Sequence, residues 1–272
     1  MIRRAIRVLL SLSHSAFGRP RGAPPGDIRI LVYHRINAIG RDPTAVRPKS
    51  FGLQMEYLSS NFKVIGMRDL SEALKGSETF ERAVVLTFDD GYRETLTNAV
   101  PVLREFRLPA CFFVPTGLIG TSRRIKGEPA GEAFPKMEWR DIEVLVQQGF
   151  EVGCHSVNHV SLGKSSVSES IREILGSKTE LENRIGRPIR YLAYPFGRPE
   201  DIPRSRQVVR VLEDSFDLCL TAYRGPNIFG QVDPLRLHRI PIRGEFGLLE
   251  FTTELAGIFD FYNRRKSYLR EE

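Results

Sequence analysis

The sequence predicts an α/β fold whose parallel sheet curls into an incomplete barrel. Short β-branched or aromatic runs alternate with segments of helical periodicity through most of the 272 residues, which is the pattern of repeated β-α units. Several of these runs are almost continuously apolar, as expected of strands that are buried on both faces. Because α/β barrels of this length commonly form one domain, we expect one domain with extensions at its ends.

Seven strands are predicted, one fewer than in a complete eight-stranded barrel. In chain order they cover residues 28–33, 83–88, 110–114, 151–154, 190–194, 216–221 and 237–242. The helices predicted between and after them cover residues 51–60, 67–74, 93–106, 139–148, 168–185, 202–213 and 247–263. The segment 168–185 has clear boundary signals, since Ser168 precedes its apolar positions and Gly186 and Pro188 follow them.

The chain divides into a basic N-terminal segment and linker at 1–26, a main domain at 27–245, and a C-terminal helix and tail at 246–272. In the first segment, Arg7 and His14 interrupt the apolar run, which is too short for a membrane span and unlike a cleaved signal. We therefore expect a cytoplasmic protein, with a basic amphipathic helix on a membrane surface as an alternative. Export is the remaining alternative.

The composition excludes a disordered chain and argues against nucleic-acid binding. Hydrophobic residues make up 41% and charged residues 27%, close to ordinary globular proteins. The net charge is +7, but the basic residues are scattered and no zinc-finger or RNP-like motif is present. Cys111, Cys154 and Cys219 lie in apolar runs, so we expect buried free thiols.

Two adjacent acids follow the strand predicted at 83–88. Asp89 and Asp90 stand where that strand ends, and active sites of α/β barrels form at the carboxyl ends of their strands. Adjacent carboxylates repel each other, so a cation that binds one leaves the other available as a base. The alternative is that one of them caps the following helix.

Two histidines follow the strand predicted at 151–154. His155 and His159 are four residues apart, which brings both imidazoles to one side of a helical turn and is common in metal sites. With Asp89 or Asp90 they make three ligands and leave an open position, while the second carboxylate is free to deprotonate a bound water. Two structural histidines are the alternative.

Two further predicted strands end in groups that could assist such a site. The turn Pro-Phe-Gly at 195–197 could aim a backbone N–H at a developing oxyanion, or it is an ordinary turn with aromatic packing. His238 and Arg239 are neighbours on the last strand, where alternation allows only one of them into the barrel mouth. His238 is our candidate for the acid that protonates a leaving amine.

These motifs resemble, in the same order, those of the polysaccharide deacetylase family, the NodB-homology domain of carbohydrate esterase family four. TFDDGY at 87–92 is similar to the first family motif, HSVNH at 155–159 to the second, and PFG at 195–197 to the third. The likeness extends from about Leu31 to about Ile242. The resemblance implies a distorted (β/α)₇ barrel that hydrolyses N-acetyl groups of amino sugars.

The resemblance also implies roles for individual residues. Asp89 would be the general base, while Asp90, His155 and His159 would hold Zn²⁺ or another divalent ion such as Co²⁺ or Ni²⁺. His238 would match the acid histidine of the last motif. The expected substrate and oxyanion residues are Tyr92, Trp139 and Phe196, the last through its backbone N–H. For Trp139, which opens a predicted helix, ordinary packing is the alternative to stacking on a sugar.

The sequence departs from the family pattern in two places. Ala193 stands where many members have an arginine that supports the base, and this resembles the branch that acts on secreted poly-N-acetylglucosamine. The acidic partner of His238 is open between Asp217 and Asp233. His34 follows the first strand, where it lines the pocket, packs in the core or makes a supporting hydrogen bond to a metal ligand.

We therefore expect a metal-dependent hydrolase that removes N-acetyl groups from a glycan or a lipid-linked sugar, with a metal-bound water as nucleophile. The substrate stays open, because exopolysaccharide, peptidoglycan and chitin-like oligomers present the same amide. A glycan-binding barrel without efficient catalysis is the second hypothesis, motivated by Ala193 in the third motif and by the unassigned acidic partner of His238 in the last motif. An iron-dependent oxygenase, suggested by two histidines and a carboxylate, is the third, and the strand order disfavours it.

Overall fold

The computed structural model describes residues 26–38, 42–76, 80, 82–126, 128, 134–258 and 260. The strands are β1 Arg29–Tyr33, β2 Arg35–Ile36, β3 Ala45–Val46, β4 Lys63–Ile65, β5 Ala83–Phe88, β6 Cys111–Val114, β7 Glu151–Cys154, β8 Tyr191–Ala193, β9 Leu218–Leu220 and β10 Ile240–Pro241. The helices are α1 Pro48–Asn61, α2 Met67–Lys75, α3 Glu94–Asn98, α4 Val100–Glu105, α5 Trp139–Gln147, α6 Val167–Ile185, α7 Arg206–Ser215 and α8 Leu248–Leu255.

The main sheet is parallel and curled. Its order is β10-β1-β5-β6-β7-β8-β9, and β4 pairs with the first half of β5 while β6 pairs with its end. Beyond β9, Leu220 forms a parallel bridge with Leu237, shortly before β10 begins. The two edges of the sheet therefore approach each other, and the predicted incomplete α/β barrel is confirmed.

Each of the seven predicted strands is present, and β5 and β7 have the predicted bounds. The sequence did not indicate β4 or the small sheet of β2 and β3, because runs of two or three residues are too short to show a period. The strand predicted at 237–242 is regular only at Ile240–Pro241. Its earlier residues instead make the isolated bridge that joins the sheet edges.

Helix boundaries differ from prediction mainly at prolines. The helix predicted at 93–106 divides into α3 and α4, because Pro101 in the first turn of α4 has no N–H to continue the ladder. The helix predicted from residue 202 begins at Arg206, since Ile202 precedes Pro203 and is extended. The helix predicted at 247–263 ends at Leu255; residues 259 and 261–272 lie outside the described residues.

The core has two layers that follow from side-chain alternation along the strands. On β5, Val85 packs inside the barrel with residues such as Phe113 and Leu220, while Val84 and Leu86 pack outward against the helices. Both faces of β5 are buried, as predicted. The three cysteines are buried and free, and burial raises the pKa of the Cys154 thiol to about 12.

The described residues supply no test of the predicted N-terminal segment, because residues 1–25 lie outside them. Among the helices that are described, none combines the length and apolar character that crossing a bilayer requires.

Candidate metal centre

Asp90, His155 and His159 converge at the carboxyl ends of β5 and β7. Asp90 Oδ1 lies 3.3 Å from His155 Nε2 and 3.1 Å from His159 Nε2, and all three side chains are buried. One ligand atom from each lies within 4.8 Å of the others. The parallel sheet explains the meeting, since consecutive parallel strands end at the same edge.

The loops that carry these residues have unusual backbone geometry. Asp90, Ser156, His159 and Phe196 all have φ between 55° and 72° although none is glycine. Such a conformation costs about 1–3 kcal/mol per residue and clusters at functional sites. Because residues 155–160 form no helix, the histidines meet through this turn and not through the helical turn that their spacing suggested.

The donor set fits a cation. His155 Nδ1 donates to the backbone carbonyl oxygen of Ala193 at 2.7 Å, which leaves the Nε2 lone pair directed toward Asp90. Asp90 Oδ1 is buried and has no hydrogen-bond donor among the described residues. Acceptor atoms that face one another in a buried space are expected to repel unless a positive ion lies between them.

Charge controls the protonation of this group. Burial alone would raise the pKa of Asp90, but His159 and His155 hold it well below its usual range. Burial would lower the pKa of His155, but Asp89 and Asp90 raise it. The Asp90 carboxyl therefore favours the ionised state that a metal ligand needs.

Asp89 is paired with Arg239 and lies outside the metal group, which consists of Asp90, His155 and His159. Arg239 NH1 donates to Asp89 Oδ1 at 2.8 Å and NH2 donates to Oδ2 at 2.6 Å, a bidentate pair in which both side chains are buried. Burial would raise the pKa of Asp89, but Arg239 and then His155 lower it. The carboxylate is thus ionised beside the metal group, with Asp89 Oδ2 4.0 Å from His155 Nε2.

The helix-cap interpretation of the acid pair fails. The next helix, α3, begins at Glu94 after Arg93, and no side chain caps it. The segment after β5 is instead held by the segment before α5, because the Arg93 N–H donates to the carbonyl oxygen of Pro135.

A cavity of about 160 Å³ opens beside the metal group. Of the residues singled out in the sequence, Asp89, Asp90, Tyr92, His155, His159 and Phe196 line it, as does His34. The other described lining residues are Asp42, Pro43, Thr44, Ile125, Lys126, Glu128, Tyr194 and Ala222.

The structure does not bring His238 or Trp139 to this cavity. His238 packs on Tyr223 with ring centroids 4.8 Å apart, and Gly225 lies against the same imidazole. Arg239, its neighbour on the chain, enters the site in its place, because consecutive side chains of an extended segment point to opposite faces. Trp139 packs at the start of α5 with the guanidinium of Arg184 5.1 Å from its ring centroid.

The two acids considered as partners of His238 lie elsewhere. Asp217 pairs with Lys75 at 2.8 Å, and Asp233 pairs with Arg236 at 3.7 Å. Neither contact involves His238. The general-acid role of His238 therefore has no support from its position.

Sequence reasoning missed two groups at the site. Glu173 of α6 accepts hydrogen bonds from the N–H groups of Val157 and Asn158 and so holds the histidine loop. Glu128 lies in a Gly- and Pro-rich loop between β6 and α5, and it lines the cavity. A carboxylate within a helix and another in a loop carry no local signal of the partners that they meet in the fold.

The family described as polysaccharide deacetylase matches residues 76–213, half of the chain. YxkH of Bacillus subtilis is 26% identical over 176 residues, which are 64% of this chain and 58% of that protein. A Staphylococcus aureus poly-β-1,6-N-acetyl-D-glucosamine N-deacetylase is 23% identical over 167 residues, 58% of this chain and 55% of its own. The chain thus spans less than two thirds of these relatives.

Solved structures share the fold. The Streptococcus pyogenes deacetylase PplD, solved with acetate, superimposes with a TM-score of 0.71 at 23% identity, over 85% of this chain and 99% of that one. IcaB from Ammonifex degensii gives a TM-score of 0.71 at 22% identity, over 86% and 98%. The distorted (β/α) barrel implied by the sequence motifs is therefore confirmed.

Proposed function

Because the chain belongs to the polysaccharide deacetylase family, we propose that it hydrolyses the N-acetyl group of an amino sugar in a polysaccharide or glycolipid. The observation that carries the proposal is the pairing of Asp89 with Arg239 beside the group of Asp90, His155 and His159. An ionised carboxylate next to a three-ligand site with an open side is the arrangement that metal-assisted amide hydrolysis needs.

In the proposed reaction, Asp90, His155 and His159 hold a divalent ion, with zinc as our first candidate because of the nitrogen ligands. Such an ion polarises the amide carbonyl and makes water more acidic. Asp89 accepts the proton of the attacking water. The backbone N–H of Phe196, at the cavity wall, donates to the oxyanion.

The departing amine needs a proton, and we assign its delivery to His34. His34 lines the cavity, and its charge acts on both Asp89 and Asp90. Of the histidines lining the described cavity, it is the one outside the proposed metal group. Imidazole exchanges protons near neutral pH, which suits this step.

Poly-N-acetylglucosamine is our first candidate substrate. The support is the Staphylococcus aureus relative named for that polymer, together with Ala193, which resembles the branch of the family that acts on secreted poly-N-acetylglucosamine. Chitin-like oligomers, peptidoglycan and lipid-linked N-acetylated sugars form the comparison panel.

The test is acetate release by the full chain loaded with zinc or cobalt. We expect release from at least one glycan of the panel, a loss of about 10²–10⁴-fold in kcat for Asp89→Asn with metal content unchanged, and a fall of similar kind for His34→Gln. Asp214→Asn, which alters an exposed acid of α7, is the matched control and keeps full activity. Full turnover by Asp89→Asn would remove Asp89 as the base.

A second result would replace the proposal altogether. Tight binding of a glycan with no acetate release at any metal loading identifies a glycan-binding barrel. The structure weakens that alternative, because Arg239 supplies the guanidinium that Ala193 had left missing.

A further inference from the structure

A buried cluster of Tyr92, Glu128 and Lys136 borders the cavity. The Tyr92 hydroxyl donates to Glu128 Oε1 at 2.6 Å, and Lys136 Nζ donates to the same oxygen at 2.7 Å. The side chains of Glu128 and Lys136 are 4% and 2% exposed, and Tyr92 and Glu128 line the cavity. An antiparallel bridge between Tyr92 and Lys136 connects the cluster to the segment that carries Asp90.

The second carboxylate oxygen of Glu128 lacks a partner. Oε2 is buried and, within the part of the chain that the structure describes, accepts no hydrogen bond. An unsatisfied buried acceptor costs about 1–3 kcal/mol, and a buried ion pair is itself weak evidence of stabilisation. Stability therefore does not account for such a group beside a cavity, whereas a hydrogen-bond donor brought in by a ligand would satisfy it.

The cluster offers this ligand an acceptor. The Tyr92 hydroxyl is directed to Glu128, and Lys136 Nζ donates to Glu128 and to the carbonyl oxygen of Phe134. The Tyr92 ring is covered by cations, with Lys136 Nζ 3.8 Å and the Arg35 guanidinium 5.1 Å from its centroid. The atom of this cluster that is left for a ligand is therefore the acceptor Glu128 Oε2.

The backbone around Glu128 is also held in place. Its N–H donates to the carbonyl oxygen of Ile125 at 3.1 Å, and its own carbonyl accepts from Arg124 NH2 at 2.6 Å. Ile125 and Lys126 line the same cavity. A carboxylate fixed at both its backbone and its Oε1 is preorganised for one ligand geometry.

We propose that Glu128 Oε2 accepts a hydrogen bond from a ring hydroxyl of the N-acylated sugar and so determines which sugar is held with its amide at the metal centre. The identity of the ligand as such a sugar rests on the proposed function. A sugar with an anionic substituent in that position is rejected, because it would place like charges together without a donor.

Binding measured in the catalytically impaired Asp89→Asn background tests this directly. The protein is loaded with zinc, and the ligands are a β-1,6-linked N-acetylglucosamine oligomer and its two analogues that lack the ring hydroxyl at position 3 or at position 4. We expect Glu128→Ala to weaken binding of the parent oligomer about 10–100-fold and to leave the Kd of one deoxy analogue unchanged. An equal loss for the parent and every analogue would overturn the proposal.

Two further variants keep the result independent of folding. Glu128→Gln preserves the volume of the side chain and one acceptor, so we expect a smaller loss on the parent, again absent on the same analogue. Glu245→Gln changes an exposed acid that pairs with Arg243 and should leave every Kd unchanged.

Acetate release by the protein with Asp89 intact separates the two proposals. Hydroxyl-selective binding without release in that protein contradicts the proposed function and supports the role of Glu128. Release from the oligomer without hydroxyl selectivity supports the proposed function and overturns the role of Glu128.

Discussion

At the scale of single residues, the guanidinium of Arg239 holds the Asp89 carboxylate, which we propose as the base. Arg239 directly precedes β10 and pairs with Asp89, and it also donates to Thr87 Oγ1 and to the carbonyl oxygen of Thr221. Four contacts on a fully buried arginine fix the carboxylate in one orientation. The sequence showed only that Arg239 and His238 could not both enter the barrel.

Arg239→Lys tests whether Arg239 orients the Asp89 carboxylate. A lysine keeps the charge but not the two parallel hydrogen bonds, so we expect kcat/KM to fall about 10–100-fold with metal content retained. Because Arg239 lowers the pKa of Asp89 and activity needs the ionised carboxylate, the acid limb of the pH–rate profile should move to higher pH. The measurement is the pH–rate profile on the best glycan.

Arg243→Lys, at an exposed arginine paired with Glu245, is the control for that experiment and should leave the profile unchanged. A profile for Arg239→Lys that coincides with the original would show that Arg239 does not act through Asp89.

At the scale of elements, helix ends follow local rules where the chain supplies them. The helix α6 begins after Ser166, whose hydroxyl accepts from the Glu169 N–H, and ends at Gly186, with φ 72°. The sequence predicts Gly186 as the C-terminal stop of this helix and Ser168 as its start, whereas the N-cap in the structure is Ser166. Several serines near that end are compatible with an N-cap, and only the backbone hydrogen bond decides among them.

Substitution of Gly186 tests the C-terminal stop of α6. A Cβ at Gly186 would meet nothing within 4 Å, so the penalty of Gly186→Ala comes from the left-handed backbone and should be about 1 kcal/mol of unfolding free energy. Denaturant unfolding monitored by circular dichroism measures it.

Gly52→Ala in α1 is the matched control. Its Cβ also meets nothing within 4 Å, and its φ is not positive, so alanine should stabilise the helix by about 0.5–1 kcal/mol. Equal changes in both variants would contradict a conformational origin.

At the scale of the whole molecule, the curled sheet assembles the site from distant segments. Asp90 follows β5, His155 and His159 follow β7, and Arg239 immediately precedes β10. An ion bound to Asp90, His155 and His159 would connect two β-α units, and it should stabilise the folded barrel by mass action.

Thermal unfolding with and without zinc tests this coupling. At free zinc of about 100 times Kd, the folded state gains about 2.7 kcal/mol, which for a domain of this size corresponds to a rise in Tm of about 5–10 °C. Asp90→Asn should lose most of the shift, while Asp214→Asn should keep it. The same rise in Asp90→Asn would place the ion elsewhere.

The sequence by itself determined the seven main strands and the three residues that converge as candidate metal ligands. Buried-type runs such as 83–88 and 151–154 specify strands through their apolar side chains, and the acids and histidines after them are recognisable because each motif is local. Family membership follows from the same short motifs. Such patterns can be recognised in the sequence because each one lies within a few consecutive residues.

Only the tertiary structure decided which long-range partners these residues meet. Arg239 and Asp89 are 150 residues apart. Glu128 contacts Tyr92, which follows β5, and Lys136, which lies 8 residues further along the chain. The exclusion of His238 and Trp139 from the cavity is decided in the same way. A hydrogen bond between distant segments depends on how the sheet curls, and side-chain alternation states only that one of two neighbours will take part.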